Sequence, residues 1–432
     1  MRYFIPFVFL AVLIGFHCTQ PDLGAQMNTV AEAYVKLVLD VGQHDADYVD
    51  AYYGPKEWQE QARASKKSLD SLRQAGVELM GRLREIDVAG QEEMLQLRHE
   101  YLLKQLKALV TRVEILGGKT YTFDDEARGI YDVTPPSYTE EHFKKMLDEL
   151  NTLLPGNGTV TQRYEQFRKA FIIPPTKLDT VFKAAIEEAR RRTKQHIELP
   201  SSESFVVEYV KDKSWSGYNW YKGESHSLIQ INTDLPIFID RAVDLAAHEG
   251  YPGHHVYNVM LESNLMRARG WIEFSVFPLF SPQALISEGS ANYGIQVAFP
   301  GEERLAFERE VLFPLAGLDT SKAGKYYRLA ELASALSYAG NEAARGYLNG
   351  TINADDAARW LEEYALMAPA RAKQRVRFID QYRSYVINYN LGQDLVKRHI
   401  EASGGTADKP EKRWEEFKRL ISSPRLASGL KQ

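Results

Sequence analysis

The chain has 432 residues and carries 53 Lys and Arg against 58 Asp and Glu, a net charge of −5. That length is ample for a large buried core, and a mildly acidic balance with both signs interspersed gives no basis for nucleic-acid binding. A single cysteine, Cys18, excludes a disulfide within the chain.

Arg2 precedes an apolar run over residues 7–16, which ends in Gly15-Phe16-His17-Cys18. The run is too short to span a bilayer and suits the core of an export signal. A lone cysteine directly after such a core resembles a lipoprotein modification site, although His17 stands where a small residue is usual. Residues 1–18 are therefore expected to be a lipoprotein-type signal with Cys18 as the lipid anchor. Periplasmic export or plain secretion is the alternative. No later segment is long and apolar enough to span a membrane, so this anchor is the membrane contact expected.

From residue 26 to 200 the pattern is repeatedly helical. Val30, Ala33, Tyr34, Leu37 and Val38 keep the i, i+3, i+4 rhythm of a buried helix face, as do Leu97, Tyr101, Leu102, Leu106 and Leu109. Pro135-Pro136, Pro155-Gly156 and Pro174-Pro175 punctuate the region, and an amphipathic stretch follows each. Between 204 and 234 the character changes. Phe205-Val206-Val207-Glu208-Tyr209-Val210 is β-rich, Trp215-Ser216-Gly217-Tyr218-Asn219 reads as a turn, and Ser227-Leu228-Ile229-Gln230-Ile231-Asn232 alternates. A small antiparallel sheet is expected directly before the next helix. Its edge strand is either open to an extended peptide or purely structural.

The next helix carries the densest chemistry in the chain. Behind Ala242-Val243-Asp244-Leu245-Ala246-Ala247 come His248-Glu249-Gly250-Tyr251-Pro252-Gly253-His254-His255. A His followed at once by Glu, with another His downstream, is how a helix offers two nitrogen ligands to zinc while the Glu acts as base toward water. The usual spacing of four keeps both rings on one face, but here the gaps are six and seven. On a straight helix six residues turn by roughly 600°, leaving His254 about 120° off the face of His248, and seven separate the rings by about 10 Å. Pro252 cannot bond the His248 carbonyl, and Gly253 permits angles that other residues resist. A local bulge extruding about two residues is therefore expected to return His254 to His248's side, with His255 left as the alternative ligand. Asp244, one turn earlier, is either an outer partner orienting a ligand imidazole or an exposed helix carboxylate. His99-Glu100, by contrast, has no second His after it and reads as ordinary charged helix.

At these residues the chain resembles a known family. His-Glu-Gly-Tyr-Pro-Gly-His-His at 248–255 is similar to the hallmark of the bacterial DUF885 proteins, many of them lipoproteins. Their motif logic is similar to that of zincin metallopeptidases of the glutamate-ligand (gluzincin) type. Ile286-Ser287-Glu288-Gly289-Ser290-Ala291-Asn292-Tyr293 resembles the family's Glu-Gly-x-Ala-x-Tyr segment. Weaker echoes stand at Asp47-Tyr48, Tyr52-Tyr53-Gly54-Pro55, Ile130-Tyr131-Asp132-Val133 and Tyr389-Asn390-Leu391-Gly392. Two departures bear on substrate preference: Ser290 replaces a bulky aromatic after Glu-Gly, and Tyr382-Arg383-Ser384 stands where the family tends to have a Pro-Gly turn. The resemblance implies a zinc hydrolase of the bacterial cell envelope.

Glu288 is the candidate third ligand. Ala284, Leu285, Ala291, Ile295 and Val297 mark residues 283–297 as a mostly buried helix, where a carboxylate calls for a cation or hydrogen-bond partners. A Glu facing the helix dipole is the alternative. With His248 and His254 it makes a His-His-Glu set with one open position, the pattern of catalytic rather than closed structural zinc. After Pro300, helices are expected over 322–349, 355–368 and 369–401. In the last, Phe378, Tyr382, Tyr385 and Tyr389 fall on one face, as core or as cleft wall. Tyr389, in the segment resembling the family's Tyr-x-x-Gly, is the candidate oxyanion donor. Arg383 is either a fork for a substrate carboxylate or a solvated side chain.

Together these features predict a mainly α, zincin-like multi-helix fold with a small antiparallel sheet before the metal helix. A helical region 26–200 would be integrated with a metal-binding region 201–432 that holds one zinc ion per chain. The expected activity is cleavage of peptides, with Glu249 as general base. Hydrolysis of another amide or an ester is one alternative, and an exported binding lipoprotein without catalysis is another. Glu249 beside His248 argues for catalysis, since a purely structural site needs no base.

Overall fold

The computed structural model describes residues 23–431. The expected signal segment and Cys18 lie outside them. Helices dominate, and they form where the apolar periodicity places them. Helix α1 (Leu23–Val41) buries Val30, Tyr34, Leu37 and Val38, and α2 (Glu93–Leu116) buries Tyr101, Leu102, Leu106 and Leu109. Each such side chain contributes about 1.5–3 kcal/mol through removal from water. Polar caps set several boundaries: Thr159 and Asn353 each open a helix through a reciprocal capping box with Gln162 and Asp356. One hydrophobic core runs from Met27 to Leu430 and joins the helices of both halves.

The sheet stands before the helix that carries His248, as expected, but its strands are arranged differently. Strand β1 (Val49–Tyr52) is followed by β2 (Ser204–Val210), β3 (Gly217–Gly223), β4 (His226–Asn232) and β5 (Val276–Pro278). The main sheet has the order β2-β4-β3, with β3–β4 antiparallel and β2–β4 parallel, so it is mixed rather than wholly antiparallel. The segment read as a turn at 215–219 is in large part the start of β3. The reversal comes instead at Glu224-Ser225, both at positive φ (55° and 62°), the geometry of a two-residue hairpin turn. That turn lacks the usual Asn-Gly because Glu262 supplies the stabilisation, accepting the amides of Glu224 (3.0 Å) and Ser225 (3.2 Å). With β3 and β4 joined so tightly, β2 takes the free edge of β4. A separate ribbon pairs β1 with β5.

Helix α3 (Leu178–Lys194) packs behind the helix of His248, which begins as α4 (Asp240–Leu245) and continues after a break as α5 (His254–Leu261). The central helix is α6 (Pro282–Ala298), buried over nearly its whole length, with Pro282 preset for its first turn. Near the C-terminus α7 (Pro369–Tyr382) leads through a short turn (Arg383–Val386) into α8 (Ile387–Ala402). Helices α6 and α8 cross backbone to backbone at Gly289 and Gly392. A Cβ on Gly289 would lie 2.4 Å from the Gly392 carbonyl, and one on Gly392 would lie 2.7 Å from the Leu285 oxygen. This glycine crossing brings α6 against α8 and the turn before it, where Glu288 and Tyr385 meet beside His248 and His254.

Candidate metal centre

The six-residue gap closes by the expected bulge, here a π-helical turn, followed by a full break in the helix. After α4 the backbone widens into a π-helical turn (Ala246–Gly250), then leaves the helix through Tyr251, Pro252 and Gly253. The Tyr251–Pro252 peptide is cis. The Tyr251 amide bonds the Ala246 carbonyl (3.0 Å) and the Gly253 amide bonds that of Ala247 (2.9 Å), so the reversal stays hydrogen-bonded. A Cβ on Gly253 would fall 1.9 Å from the His248 oxygen, so no other residue fits this turn. A new helix then starts at His254 and folds that ring over His248. The Nε2 atoms stand 3.1 Å apart, with the ring planes at 89°.

Glu288 meets both. Its Oε2 lies 3.2 Å from His248 Nε2 and 3.6 Å from His254 Nε2, while Oε1 accepts the Tyr385 hydroxyl at 2.7 Å. Oε2 is buried and has no hydrogen-bond partner among the described residues. Glu249 is buried beside the pair, its carboxylate within 4.8 Å of both imidazoles, and Asn219 donates to its main-chain carbonyl at 2.7 Å. Of the two carboxylates, Glu288 approaches both Nε2 atoms directly.

The other ring nitrogens are spoken for. Asn292 Nδ2 donates to the Tyr389 carbonyl (2.8 Å), which leaves Asn292 Oδ1 facing His248 Nδ1 at 2.9 Å. Nδ1 must then carry the proton, and Nε2 is left as a bare lone pair. His254 Nδ1 lies 3.0 Å from Ser287 Oγ, which can accept in the same way. Two imidazole Nε2 atoms and a carboxylate oxygen without a hydrogen-bond partner thus converge within 3.6 Å, an arrangement that a bound cation would complete.

Electrostatics agree. Against desolvation by burial, Glu288 and, behind it, Glu249 and Asp50 push His254 up to about 9. Glu288 is itself held well below the usual carboxylate range, its burial outweighed by the two histidines. Burial raises Glu249, with His248 and His254 opposing. The site favours positive charge at its centre, which is what a metal set requires.

These side chains open onto a cavity of about 1250 Å³, which Tyr389 and Arg375 also line. Tyr389 is half-buried, and its hydroxyl makes no hydrogen bond among the described residues. Burial, then the nearby Glu288, raises its hydroxyl well above the ordinary range. His255 turns to the opposite side, fully buried, between Ser227 Oγ (2.9 Å from Nδ1) and Glu203 (3.2 Å from Nε2). Asp244 orients no imidazole. It pairs with Arg304 (2.8 Å) and Arg241 (3.1 Å), which neutralise it within its own corner. Arg383 donates its Nε to Glu126 at 2.7 Å, which ties it to that buried carboxylate.

Several residues of the site escaped the sequence reading. Ser287 and Asn292 lie in the quoted segment, and their signal was available: Gln283, Ser287, Glu288 and Asn292 fall at i, i+4, i+5 and i+9, a polar stripe on an otherwise apolar helix. Tyr385 was seen only as part of an aromatic face. Asp50, which accepts the Tyr218 hydroxyl and is raised to about 6 by burial, reaches the cavity through the β1–β5 ribbon, which no local pattern announces.

No protein-family model matches this sequence, and the search of curated proteins likewise finds no match. Solved structures with a similar fold include a candidate lipoprotein from Colwellia psychrerythraea, 16% identical, covering 84% of this chain and 68% of that one, with a TM-score of 0.47. The M32 carboxypeptidase of Deinococcus radiodurans R1 is 12% identical over 92% of this chain and 90% of its own, at 0.43. Metallocarboxypeptidase 1 of Trypanosoma cruzi is 13% identical over 92% and 89%, also at 0.43. At these identities and scores the likenesses assign neither family nor activity.

Proposed function

We propose that this protein is a zinc-dependent hydrolase that cleaves peptides, with His248, His254 and Glu288 as metal ligands and Glu249 as general base. The observation that carries the reading is the convergence of the His248 and His254 Nε2 atoms, 3.1 Å apart, on the partnerless Glu288 Oε2. Zinc held there would polarise a scissile carbonyl and acidify a water molecule. Glu249, kept basic by its burial, takes the proton of the attacking water and delivers it to the leaving amine. Tyr389, which lines the same cavity, donates to the developing oxyanion. Asn292 and Ser287 hold the Nδ1 sides of the two imidazoles, and Tyr385 holds the other oxygen of Glu288.

The motif resemblance to the DUF885 proteins supports the same reading, as does the presence of a base where a structural site has no use for one. Export through residues 1–18, with lipid on Cys18, accompanies the proposal. It is supported by the apolar run before a lone cysteine, and no helix among the described residues is long and apolar enough to cross a membrane. The test is metal analysis of the purified protein together with digestion of a mixed peptide library read by mass spectrometry. Zinc at one per chain and chelator-sensitive cleavage support the reading. Zinc-loaded protein that leaves every peptide intact overturns it.

A further inference from the structure

We propose that Arg371 and Arg375 form a carboxylate-binding subsite in the wall of the metal cavity, so that favoured substrates present an unpaired carboxylate beside the scissile bond. The proposal deepens the zinc-peptidase reading and rests on it for the reaction, though not for the binding. Both arginines line the cavity from α7, one helical turn apart, where like charges repel. Neither makes an ion pair with a carboxylate among the described residues. The other cavity arginines, Arg241, Arg304 and Arg328, do: Arg241 pairs with Asp244 (3.1 Å), Arg304 with Asp244 (2.8 Å) and Glu308 (2.7 Å), and Arg328 with Glu149 (2.7 Å) and Glu331 (2.9 Å).

Arg375 is the centre of the argument. Its Nε is buried with no acceptor among the described residues. Its guanidinium lies over the rings of Phe378 (4.8 Å) and Tyr389 (5.7 Å), so two aromatic faces hold the fork in place. Burial lowers its pKa, opposed by Tyr389 and Glu288. Arg371, one turn earlier, is exposed on the cavity wall and donates to Gln374 at 2.8 Å. A desolvated guanidinium without an anion is costly, and its planar fork matches a carboxylate with two parallel hydrogen bonds. Since Arg375 stacks on Tyr389, an anion held there lies next to the proposed oxyanion donor. Two sources supply that chemistry: the C-terminal carboxylate of a peptide or an acidic side chain near the cleaved bond.

The experiment is isothermal titration of zinc-loaded Glu249→Gln protein, which removes turnover, with three short peptides. One has a free C-terminal carboxylate and neutral side chains, the second is its C-terminal amide, and the third is that amide with one Glu side chain. The free acid should bind roughly 10- to 100-fold tighter than its amide, the scale of charge-assisted hydrogen bonds. Arg375→Ala should abolish the difference and Arg371→Ala should reduce it. Arg375→Lys, which keeps charge and stem but loses the fork, should recover part of it, and it carries the test if the alanine variant melts early. Equal tightening by the Glu-bearing amide would identify an acidic side chain as the group recognised. Equal binding of all three peptides overturns the subsite, as does a preference that survives both alanine substitutions. Arginine-dependent binding of a peptide that native enzyme never cleaves would instead overturn the peptidase reading and leave the subsite standing.

Discussion

His254 and His255 are neighbours in sequence, yet they face carboxylates in opposite states. Glu203, which meets His255, has every oxygen engaged: Arg190 (2.6 Å) and Lys194 (3.3 Å) on one, the Tyr251 hydroxyl (2.6 Å) and His255 on the other. Against its burial, hydrogen bonds from His255, Tyr251 and Arg190 hold Glu203 down to about 2. Glu288, which meets His254, keeps one buried oxygen without a donor. The same residue types thus build a finished structural joint on one side of the Tyr251–Gly253 turn and an unfinished electrostatic pocket on the other. Function is read from what the fold leaves unsatisfied, because a buried polar atom without a partner is expensive unless a ligand completes it.

The largest effect that sharpens this contrast is at Glu249. Glu249→Gln should lower kcat/KM for peptide hydrolysis by about 10²- to 10⁴-fold, with metal content and melting temperature unchanged. A metal-loaded variant with full activity would break the mechanism. Next comes Tyr389→Phe, expected to reduce kcat by up to about 10²- to 10³-fold without altering metal content. A near-normal rate would return Tyr389 to the aromatic core. On the finished side, Glu203→Gln should destabilise the fold by about 1–3 kcal/mol, read as a lowered denaturation midpoint, because His255 and Tyr251 lose their charged acceptor. Loss of metal in that variant at native temperature, with the fold intact, would show that the two clusters are not separable.

The smallest effect concerns the other buried histidine among the described residues, His399, whose Nδ1 lone pair is already used by the Lys431 amide (2.9 Å). Burial, then Arg425 and Lys431, lowers its pKa to about 4, against about 6.5 in an unfolded chain. As pH falls from about 6.5 to about 4, the unfolded state takes up a proton that the folded state refuses, so stability is lost across that window. His399→Gln should flatten that part of the stability–pH curve, followed by denaturant titration at each pH. An unchanged slope contradicts the assignment.

Much of this was legible in the chain. The His-Glu pair, the need for a special geometry at Pro252-Gly253 and the buried setting of Glu288 all follow from residue type and spacing. What the sequence does not carry is pairing over distance. The form of the reversal, a π-helical turn followed by a new helix, depends on hydrogen bonds from Tyr251 and Gly253 back to Ala246 and Ala247. The hairpin at Glu224-Ser225 is held by Glu262 in place of local turn residues, so its signal is tertiary. The parallel β2–β4 pairing has no trace in strand alternation, which reports burial and not direction. Arg383 shows the same limit. It sits at φ 53°, where the resembled family tends to have Pro-Gly, and its ion pair with Glu126 accompanies that conformation.

The central claim is that His254, and not His255, completes a metal set with His248 and Glu288. Zinc content per folded chain, measured by elemental analysis on the wild type and on the His254→Ala and His255→Ala proteins, tests it most directly. The wild type should hold one zinc, His254→Ala should lose most of it, and His255→Ala should keep it despite a lower melting temperature. Full zinc in His254→Ala with loss in His255→Ala would contradict the account.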